Sequence, residues 1–255
     1  MTEPRAELVA ALRRDPARTA LLVDFDGTLA PIVEDPAESR PVAGAAEALD
    51  VLAARYALVA VVSGRPAGFL RDHLGSGPAL VGLYGLEQVR DGEVLVDPAV
   101  APWRAIVDEA AAAAEAELPS EVGVEHKGLS LTLHVRTCPE HAAAVEAWAA
   151  AGAGRWGLRH GTAKMSAELH PPVEHDKGTV VSALVAQVSA RTACFVGDDV
   201  GDLPAFRALD RFAEAGGEAH KVVVASTEVA PELLAVADLT LDGPGDVLAM
   251  LRSLA

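Results

Sequence analysis

The sequence predicts an α/β protein: a parallel sheet covered on both faces by helices, interrupted by a smaller α+β module. Three observations carry this. The runs Ala20 to Phe25, Ala57 to Val62 and Thr192 to Val196 are almost continuously apolar, as expected of strands buried on both faces. Segments with helical pattern separate them. Between residues 99 and 170 the order changes to helix–strand–strand, twice over, which sets that stretch apart.

Taken in order, the stretch up to Thr19 reads as a polar helix with scattered charge and has no signal-peptide core. The strand Ala20 to Phe25 runs into Asp-Phe-Asp-Gly-Thr. A helix over about Val42 to Arg55 follows, then the strand Ala57 to Val62, which ends in the turn Ser63-Gly64-Arg65-Pro66, and a short strand over Ala79 to Tyr84. Pro102 to Leu118 is an alanine- and glutamate-rich helix. Val122 to His126 and Ser130 to Val135 form a hairpin in which Leu131, Leu133 and Val135 alternate with Thr132 and His134. Pro139 to Ala150 is a second helix, and Trp156 to His160 with Lys164 to His170 a second hairpin. After Pro171-Pro172 the first pattern returns: helix Lys177 to Val188, strand Thr192 to Val196, helix Leu203 to Leu209, strand Lys221 to Ala225, helix Val229 to Val236, strand Leu239 to Leu241 and helix Asp246 to Leu254. The expected division is therefore a core of residues 1–98 and 171–255 with residues 99–170 inserted. The insert has a size suited to a small domain. It can sit over the carboxyl edge of the sheet, where open α/β sheets bind ligands.

Composition narrows the function classes. A chain of 255 residues with 51% hydrophobic residues can bury a sizeable core. No apolar run approaches the roughly 18 residues of a membrane span, and with no leader a cytoplasmic location is expected. A formal net charge of -16 repels phosphate backbones, so nucleic acid is not expected as a partner, and without an apolar run of spanning length neither is a membrane. Cys138 and Cys194 stand far apart in apolar stretches and read as buried free thiols. The sequence carries no signal of oligomeric state.

Four short segments carry chemistry. Residues two apart in a strand point to one side, so Asp24 and Asp26 can face a common site at the strand's carboxyl end. Gly27 lets the backbone turn away, and Thr28 offers a hydroxyl to hold a carboxylate. Read alone, Asp-Gly is also a common turn pair. Ser63 and the Gly64 amide can hold a phosphate oxygen, although Ser-Gly equally marks an ordinary strand-to-helix turn. Lys177 stands at a helix start, where the helix dipole prefers anions. A lysine there either faces an anion or lies in solvent. In Gly197-Asp198-Asp199-Val200-Gly201-Asp202, three carboxylates crowd a strand end, a donor set suited to Mg²⁺; the spacing does not match an EF-hand. In sequence order these segments supply a nucleophile, a phosphate cradle, a cation and a metal site.

The four motifs DFDGT, SGR, DKG and GDDVGD resemble those of the haloacid dehalogenase superfamily of phosphatases, in the same order. The resemblance implies a Rossmann-like core in which Asp24 is the nucleophile and Asp26 the acid and base. It also implies that Ser63, Gly64 and Lys177 hold the phosphoryl group. Asp24, the main-chain carbonyl of Asp26, and Asp198 would bind Mg²⁺, and Thr28, Asp199 and Asp202 would support the metal or Lys177. The opening VDFDGTLAPIVEDPAESRP is similar to that of trehalose-6-phosphate phosphatases, and the inserted module resembles the αββαββ cap of that family. Within it, Glu125-His126-Lys127, Ser130 and His134-Val135-Arg136 resemble a sugar-contacting pattern. Glu168 and the turn Tyr84-Gly85-Leu86-Glu87 also match. The implied substrate contacts are Arg65, Glu125, Lys127, Arg136 and Glu168, and the implied partner is a small sugar phosphate. From the residues alone, alternating charges on a hairpin read equally as a solvent face; a site that reads hydroxyls does need such paired donors and acceptors. One departure stands out: where the family has GDDxTDEDAF, this chain has GDDVGDLPAF, with Gly201, Leu203 and Pro204 replacing a threonine and an acidic pair.

Several activities remain open at this level. They are hydrolysis of trehalose 6-phosphate, hydrolysis of another sugar or cyclitol phosphate, phosphomutase action, broad phosphatase action, and non-catalytic sugar-phosphate sensing. Both aspartates of DxD are present, which favours catalysis. Closure of the insert about Val96-Asp97-Pro98 and His170-Pro171-Pro172 is expected to exclude bulk water.

Overall fold

The computed structural model describes residues 3–163, 165–225 and 230–255. The chain divides into two compact units, Met1–Leu95 with His175–Ala255, and Val96–Glu174. In chain order, the first unit opens with α1 (Glu3–Leu12), β1 (Thr19–Val23), α2 (Ala45–Ala53), β2 (Leu58–Val62), α3 (Ala67–Leu74), β3 (Ala79–Gly82), β4 (Glu87–Arg90) and β5 (Glu93–Val96). The second unit holds α4 (Arg104–Glu117), β6 (Gly123–His126), β7 (Leu131–His134), α5 (Ala142–Trp156), β8 (Arg159–Ala163) and β9 (Ser166–His170). The first unit resumes with α6 (Lys177–Gln187), β10 (Thr192–Gly197), α7 (Leu203–Glu214), β11 (Glu218–Ala225), α8 (Pro231–Leu234), β12 (Leu239–Asp242) and α9 (Gly243–Leu254).

The larger sheet runs β12-β11-β10-β1-β2-β3-β4-β5. It is parallel from β12 to β3, and β4 pairs antiparallel to β3. β1 lies at its centre, with Thr19 opposite Thr192 on β10 and Ala20 opposite Leu58 on β2. The apolar run of β1 follows from its two buried faces. Leu21 and Val23 pack into a core with Leu12 of α1, Leu49 and Leu52 of α2, Leu70 of α3 and Leu251 of α9. Ala20 and Leu22 enter the opposite core with Val181 of α6, Phe206 of α7 and Leu233 of α8. Cys194 and Cys138 are both free and buried, and burial, with Asp238 adding to it, pushes the Cys194 thiol up to about 12.

The second unit is a four-stranded antiparallel sheet of order β6-β7-β9-β8. Leu131, Leu133 and Leu169 of that sheet form a core with Val107 and Ala110 of α4 and Val145 and Ala149 of α5. Glu125, Thr132 and Glu168 lie in one cross-strand row, which period-2 alternation assigns to the face away from that core.

The structure adds elements and corrects others. Helix α3 and the hairpin β4–β5 were not expected. At the hairpin tip Asp91 (φ 53°) and Gly92 (φ 80°) are both left-handed, the requirement of a two-residue type I′ turn that Asp-Gly satisfies. The third strand stops at Gly82, and Leu83 and Tyr84 turn through left-handed conformations (φ 47° and 57°). Trp156 ends α5 instead of opening a strand, because its ring packs into the helix–sheet core. α7 continues to Glu214, and β11 begins at Glu218 rather than Lys221. Lys164 and Val229, expected to begin a strand and a helix, lie outside the described residues. Among the described residues, no helix is long and apolar enough to cross a membrane.

Candidate active site

The site forms where β1, β10 and α6 bring their ends together. The Asp24 amide donates to the Val196 carbonyl at 2.9 Å, extending the β1–β10 ladder one residue beyond β1. The chain then turns at Gly27, which has φ +74°. A Cβ there would occupy the position of the Asp198 carboxylate, so glycine is needed both for the backbone and for the approach of the two strand ends. Lys177 opens α6. Its Nζ lies 2.8 Å from Asp24 Oδ1 and 2.6 Å from Asp202 Oδ1. A cation at a helix N-terminus is unfavourable, and it is offset here by these two carboxylates. The start of α6 is fixed by a reciprocal cap: the Asp176 carboxylate accepts from the Thr179 amide at 2.7 Å, and the Thr179 hydroxyl accepts from the Asp176 amide at 3.1 Å. The second Asp202 oxygen accepts from the amides of Asp198 (2.8 Å) and Asp199 (3.2 Å). Asp202 therefore ties the loop after β10 to Lys177.

Asp24, Lys177 and Asp202 are buried. Burial raises the Asp24 carboxyl well above its ordinary range; Lys177 opposes this, and Asp202 and Asp198 add to it. Burial also raises Asp202, against the pull of Lys177. Burial, then Asp199 and Asp202, push Asp198 up to about 8. For Lys177, burial acts to lower the value, but Asp202 and Asp24 outweigh it and the ammonium is held well above its ordinary range. One oxygen each from Asp24, Asp198 and Asp202 fall within 4.8 Å of one another. So many carboxylates around one lysine leave negative charge uncompensated.

Ser63, Gly64 and Arg65 follow β2. The buried Ser63 hydroxyl accepts from the Arg65 amide at 3.2 Å. A Cβ on Gly64 would stand 2.6 Å from the Tyr84 hydroxyl, so glycine lets that ring lie against the loop. The Tyr84 amide donates to the Ser63 carbonyl at 3.0 Å. The buried Glu87 carboxylate accepts from the Ala67 amide at 2.9 Å, capping α3 just after the loop. The β3–β4 connection thus braces Ser63-Gly64-Arg65.

Asp26 does not join the three clustered carboxylates. Arg65 Nε and one terminal nitrogen donate to its two oxygens at 2.6 and 2.7 Å, and the Ser39 hydroxyl donates at 2.8 Å. Asp199 is exposed and caps the following turn by accepting from the Gly201 amide at 2.9 Å. The Thr28 hydroxyl, expected to hold a carboxylate, is fully buried and has no hydrogen-bond partner among the described residues.

In the second unit, Lys127 Nζ lies 3.5 Å from Glu125 and 4.0 Å from Glu168. His134 Nε2 lies 2.7 Å from the same Glu125 oxygen, and the Thr132 hydroxyl reaches Glu168 at 3.5 Å. Ser130 is buried with no partner for its hydroxyl among the described residues. Arg136 is exposed in the turn after β7 and lies outside this cluster. Ser39 and Glu87 had no expected role of their own, whereas His134 belongs to the expected sugar-contacting pattern and lies against Glu125. His134 is findable from register, since it shares a strand face with Thr132. Ser39 carried no local signal of its partner.

A family model described as trehalose-phosphatase matches residues 22–242. The chain belongs to the trehalose-phosphatase family. It is 35% identical over 202 residues to a trehalose-phosphate phosphatase of Mycobacterium ulcerans, covering 75% of this chain and 52% of that protein. To one of Mycobacterium leprae it is 35% identical over 251 residues, covering 92% of this chain and 57% of that protein. The chain thus spans about half the length of the curated relatives it matches. Among solved structures, Aspergillus fumigatus trehalose-6-phosphate phosphatase aligns with 27% identity and a TM-score of 0.63, covering 98% of this chain and 96% of that one. A haloacid dehalogenase-like hydrolase from Bacteroides thetaiotaomicron, 14% identical with a TM-score of 0.60 over 92% of this chain and 98% of that one, shares the fold. The mostly parallel α/β core with an inserted α+β unit is thus a fold shared with a haloacid dehalogenase-like hydrolase.

Proposed function

We propose that this chain hydrolyses trehalose 6-phosphate, with Asp24 as nucleophile, Asp26 as acid and base, and the second unit as the cap that reads the sugar. The observation that carries the chemistry is the buried Asp24–Lys177–Asp202 chain beside Asp198, with ion pairs of 2.8 and 2.6 Å. Family membership and the named relatives support the substrate. An Asp24 oxygen attacks phosphorus as the bond to the sugar oxygen breaks, and Asp26 gives that oxygen a proton. A water then loses a proton to Asp26 and attacks the phosphorus of the aspartyl-phosphate, freeing phosphate and restoring Asp24. Lys177, with Ser63 and the Gly64 amide, would hold the phosphoryl oxygens as their charge grows. Glu125, Lys127 and Glu168 would pair with sugar hydroxyls. Arg65 is engaged by Asp26 and the Pro36 carbonyl in this structure, and would contact substrate from that position.

The donor set fits Mg²⁺: hard carboxylate oxygens, crowded together, with Asp24 and Asp198 raised above their ordinary pKa first by burial and then by neighbouring carboxylates. Asp24, Asp198 and the Asp26 carbonyl would hold the ion, because both Asp202 oxygens are already engaged. When bound, Mg²⁺ would neutralise charge on the phosphoryl group. A carboxyl whose folded value is raised stabilises the fold below its unfolded value and loses that stabilisation as pH rises through the folded one. For Asp198 this loss falls between its ordinary 3.8 and about 8. Metal binding displaces that proton, so Mg²⁺ is expected to raise Tm more at pH 8.5 than at pH 6. An equal increment at both, by thermal unfolding with and without chelator, would contradict this metal site.

Phosphate release from a panel of sugar phosphates with Mg²⁺ tests the substrate. Trehalose 6-phosphate is expected to exceed glucose 6-phosphate in kcat/KM by at least about tenfold, the discrimination that unpaired hydroxyl-reading groups impose. A preference for another ester would replace the substrate and leave the Asp24 chemistry standing.

A further inference from the structure

The fork of Arg65 lies on the proposed acid and base rather than open to solvent. Nε donates to Asp26 Oδ2 at 2.6 Å and the terminal nitrogen to Oδ1 at 2.7 Å, a side-on bidentate pair. The Ser39 hydroxyl adds a third bond, to Oδ1, at 2.8 Å. Arg65 is itself fixed. Its other terminal nitrogen donates to the Pro36 carbonyl at 2.7 Å, the carbonyl of the residue that begins the turn leading to Ser39. Its guanidinium carbon lies 4.9 Å from the Phe69 ring centre. Its side chain is 11% exposed, against 31% for Asp26, so the clamp is more enclosed than the group it holds. A carboxylate has about four acceptor sites. Arg65 and Ser39 fill both sites on Oδ1 and one on Oδ2, and among the described residues one site on Oδ2 stays open.

We propose that Arg65 and Ser39 are positioning residues that hold the Asp26 carboxyl in one orientation, with Oδ2 as the atom that passes the proton. The proposal rests on the reading of Asp26 as acid and base. The fork removes rotation about the carboxyl bond, Ser39 distinguishes the two oxygens, and the Pro36 carbonyl ties the fork to the loop that carries Ser39. Orientation of this kind matters most for a poor leaving group. A sugar alkoxide needs a proton as its bond to phosphorus breaks, whereas p-nitrophenolate leaves without one.

The test is kcat/KM for trehalose 6-phosphate and for p-nitrophenyl phosphate, since kcat/KM reports the step in which the ester bond breaks. Variants are Asp26→Asn, Arg65→Gln, Arg65→Lys, Ser39→Ala and the double variant Asp26→Asn/Arg65→Gln. Asp26→Asn is expected to lose at least about 10²-fold on the sugar phosphate and little on the aryl ester. Arg65→Gln is expected to show the same selective loss, of roughly 10²-fold. Ser39→Ala, which leaves the ion pair in place, should lose up to about tenfold on the sugar phosphate alone. Lysine cannot make the parallel pair, so Arg65→Lys should fall between wild type and Arg65→Gln. In the Asp26→Asn background, Arg65→Gln should cost little more, because both changes remove one function. Equal losses on the two esters would make Arg65 merely structural and overturn the proposal. Additive losses in the double variant would place its action on the substrate and overturn it too. If Arg65→Gln fails to fold, Arg65→Lys and Ser39→Ala carry the same comparison. If wild type prefers a different sugar phosphate, that ester replaces trehalose 6-phosphate in the same ratio. If Asp26→Asn itself shows no selective loss, the acid–base reading fails and the clamp with it.

Discussion

Asp24→Asn is expected to abolish phosphate release, lowering kcat by at least about 10⁴-fold, the scale on which loss of a nucleophile acts, while the fold survives. Asparagine has nearly the same shape and keeps an oxygen for Lys177, but its amide is a poor nucleophile. The stability side follows from electrostatics. Burial raises the Asp24 carboxyl well above its ordinary range even with Lys177 at 2.8 Å, so its charge is held at a cost. A neutral replacement removes the repulsion from Asp198 and Asp202, and Lys177 keeps its 2.6 Å contact with Asp202. Tm should therefore stay level or rise. Steady-state assay with a thermal melt of the same preparation checks both halves. Activity near wild type would end the claim that Asp24 attacks phosphorus. Lost activity with a collapsed Tm would show Asp24 to be structural.

Lys177→Met should have the largest effect on stability, a loss of about 3–5 kcal/mol, because it leaves the carboxylates of Asp24 and Asp202 buried without their cation. Methionine fills much the same volume, so a packing defect adds little. The pH dependence has a definite sign. In wild type the folded-state lysine value lies well above its ordinary 10.5. Its contribution is thus complete below the unfolded value and is lost only as pH rises through the folded one. Near neutral pH wild type keeps all of it. Both proteins contain raised carboxyl groups, which favour the fold only while protonated, but the variant lacks the Lys177 charge that lowers them, so its stability should fall more steeply as pH rises across the neutral range. Urea melts at pH 5.5 and pH 8 test this: the gap between the proteins should widen at the higher pH. A constant gap of under about 1 kcal/mol would mean that the pair behaves as an exposed one.

The strands legible in the sequence were those whose neighbours make them uniform. β1, β2 and β10 are buried on both faces, so their apolar runs needed no knowledge of partner or register. At Lys177 the helix start alone left a choice between an anion and solvent, and the packing of α6 against β1 and the loop after β10 decides it, with Asp24 and Asp202 as the anions. Helix α3 is short and starts without a side-chain cap of its own; its cap comes from Glu87, twenty positions on and on another strand. The β4–β5 hairpin does carry a local signal, Asp91-Gly92 between Glu-Gln-Val-Arg and Glu-Val-Leu-Val. The pairing of Arg65 with Asp26 had no such signal. Both belong to recognisable motifs, but which donor meets which acceptor depends on how β2 and the turn after β1 pack, a tertiary fact.

The register of the central strand has a consequence for how the molecule is made. β1 has two neighbours: β2, close behind it in the chain, and β10, where Thr19 meets Thr192 across most of the sequence. During synthesis β1 and β2 can pair early, but the other edge of β1, Thr-Ala-Leu-Leu-Val, must wait until the ribosome has made the whole intervening segment. A bare apolar edge of that kind is a template for pairing with other chains. Closure of so long a loop is slow and leaves partly folded species exposed. The second unit, local in its contacts and bounded by a single stretch of chain, can form while that edge waits.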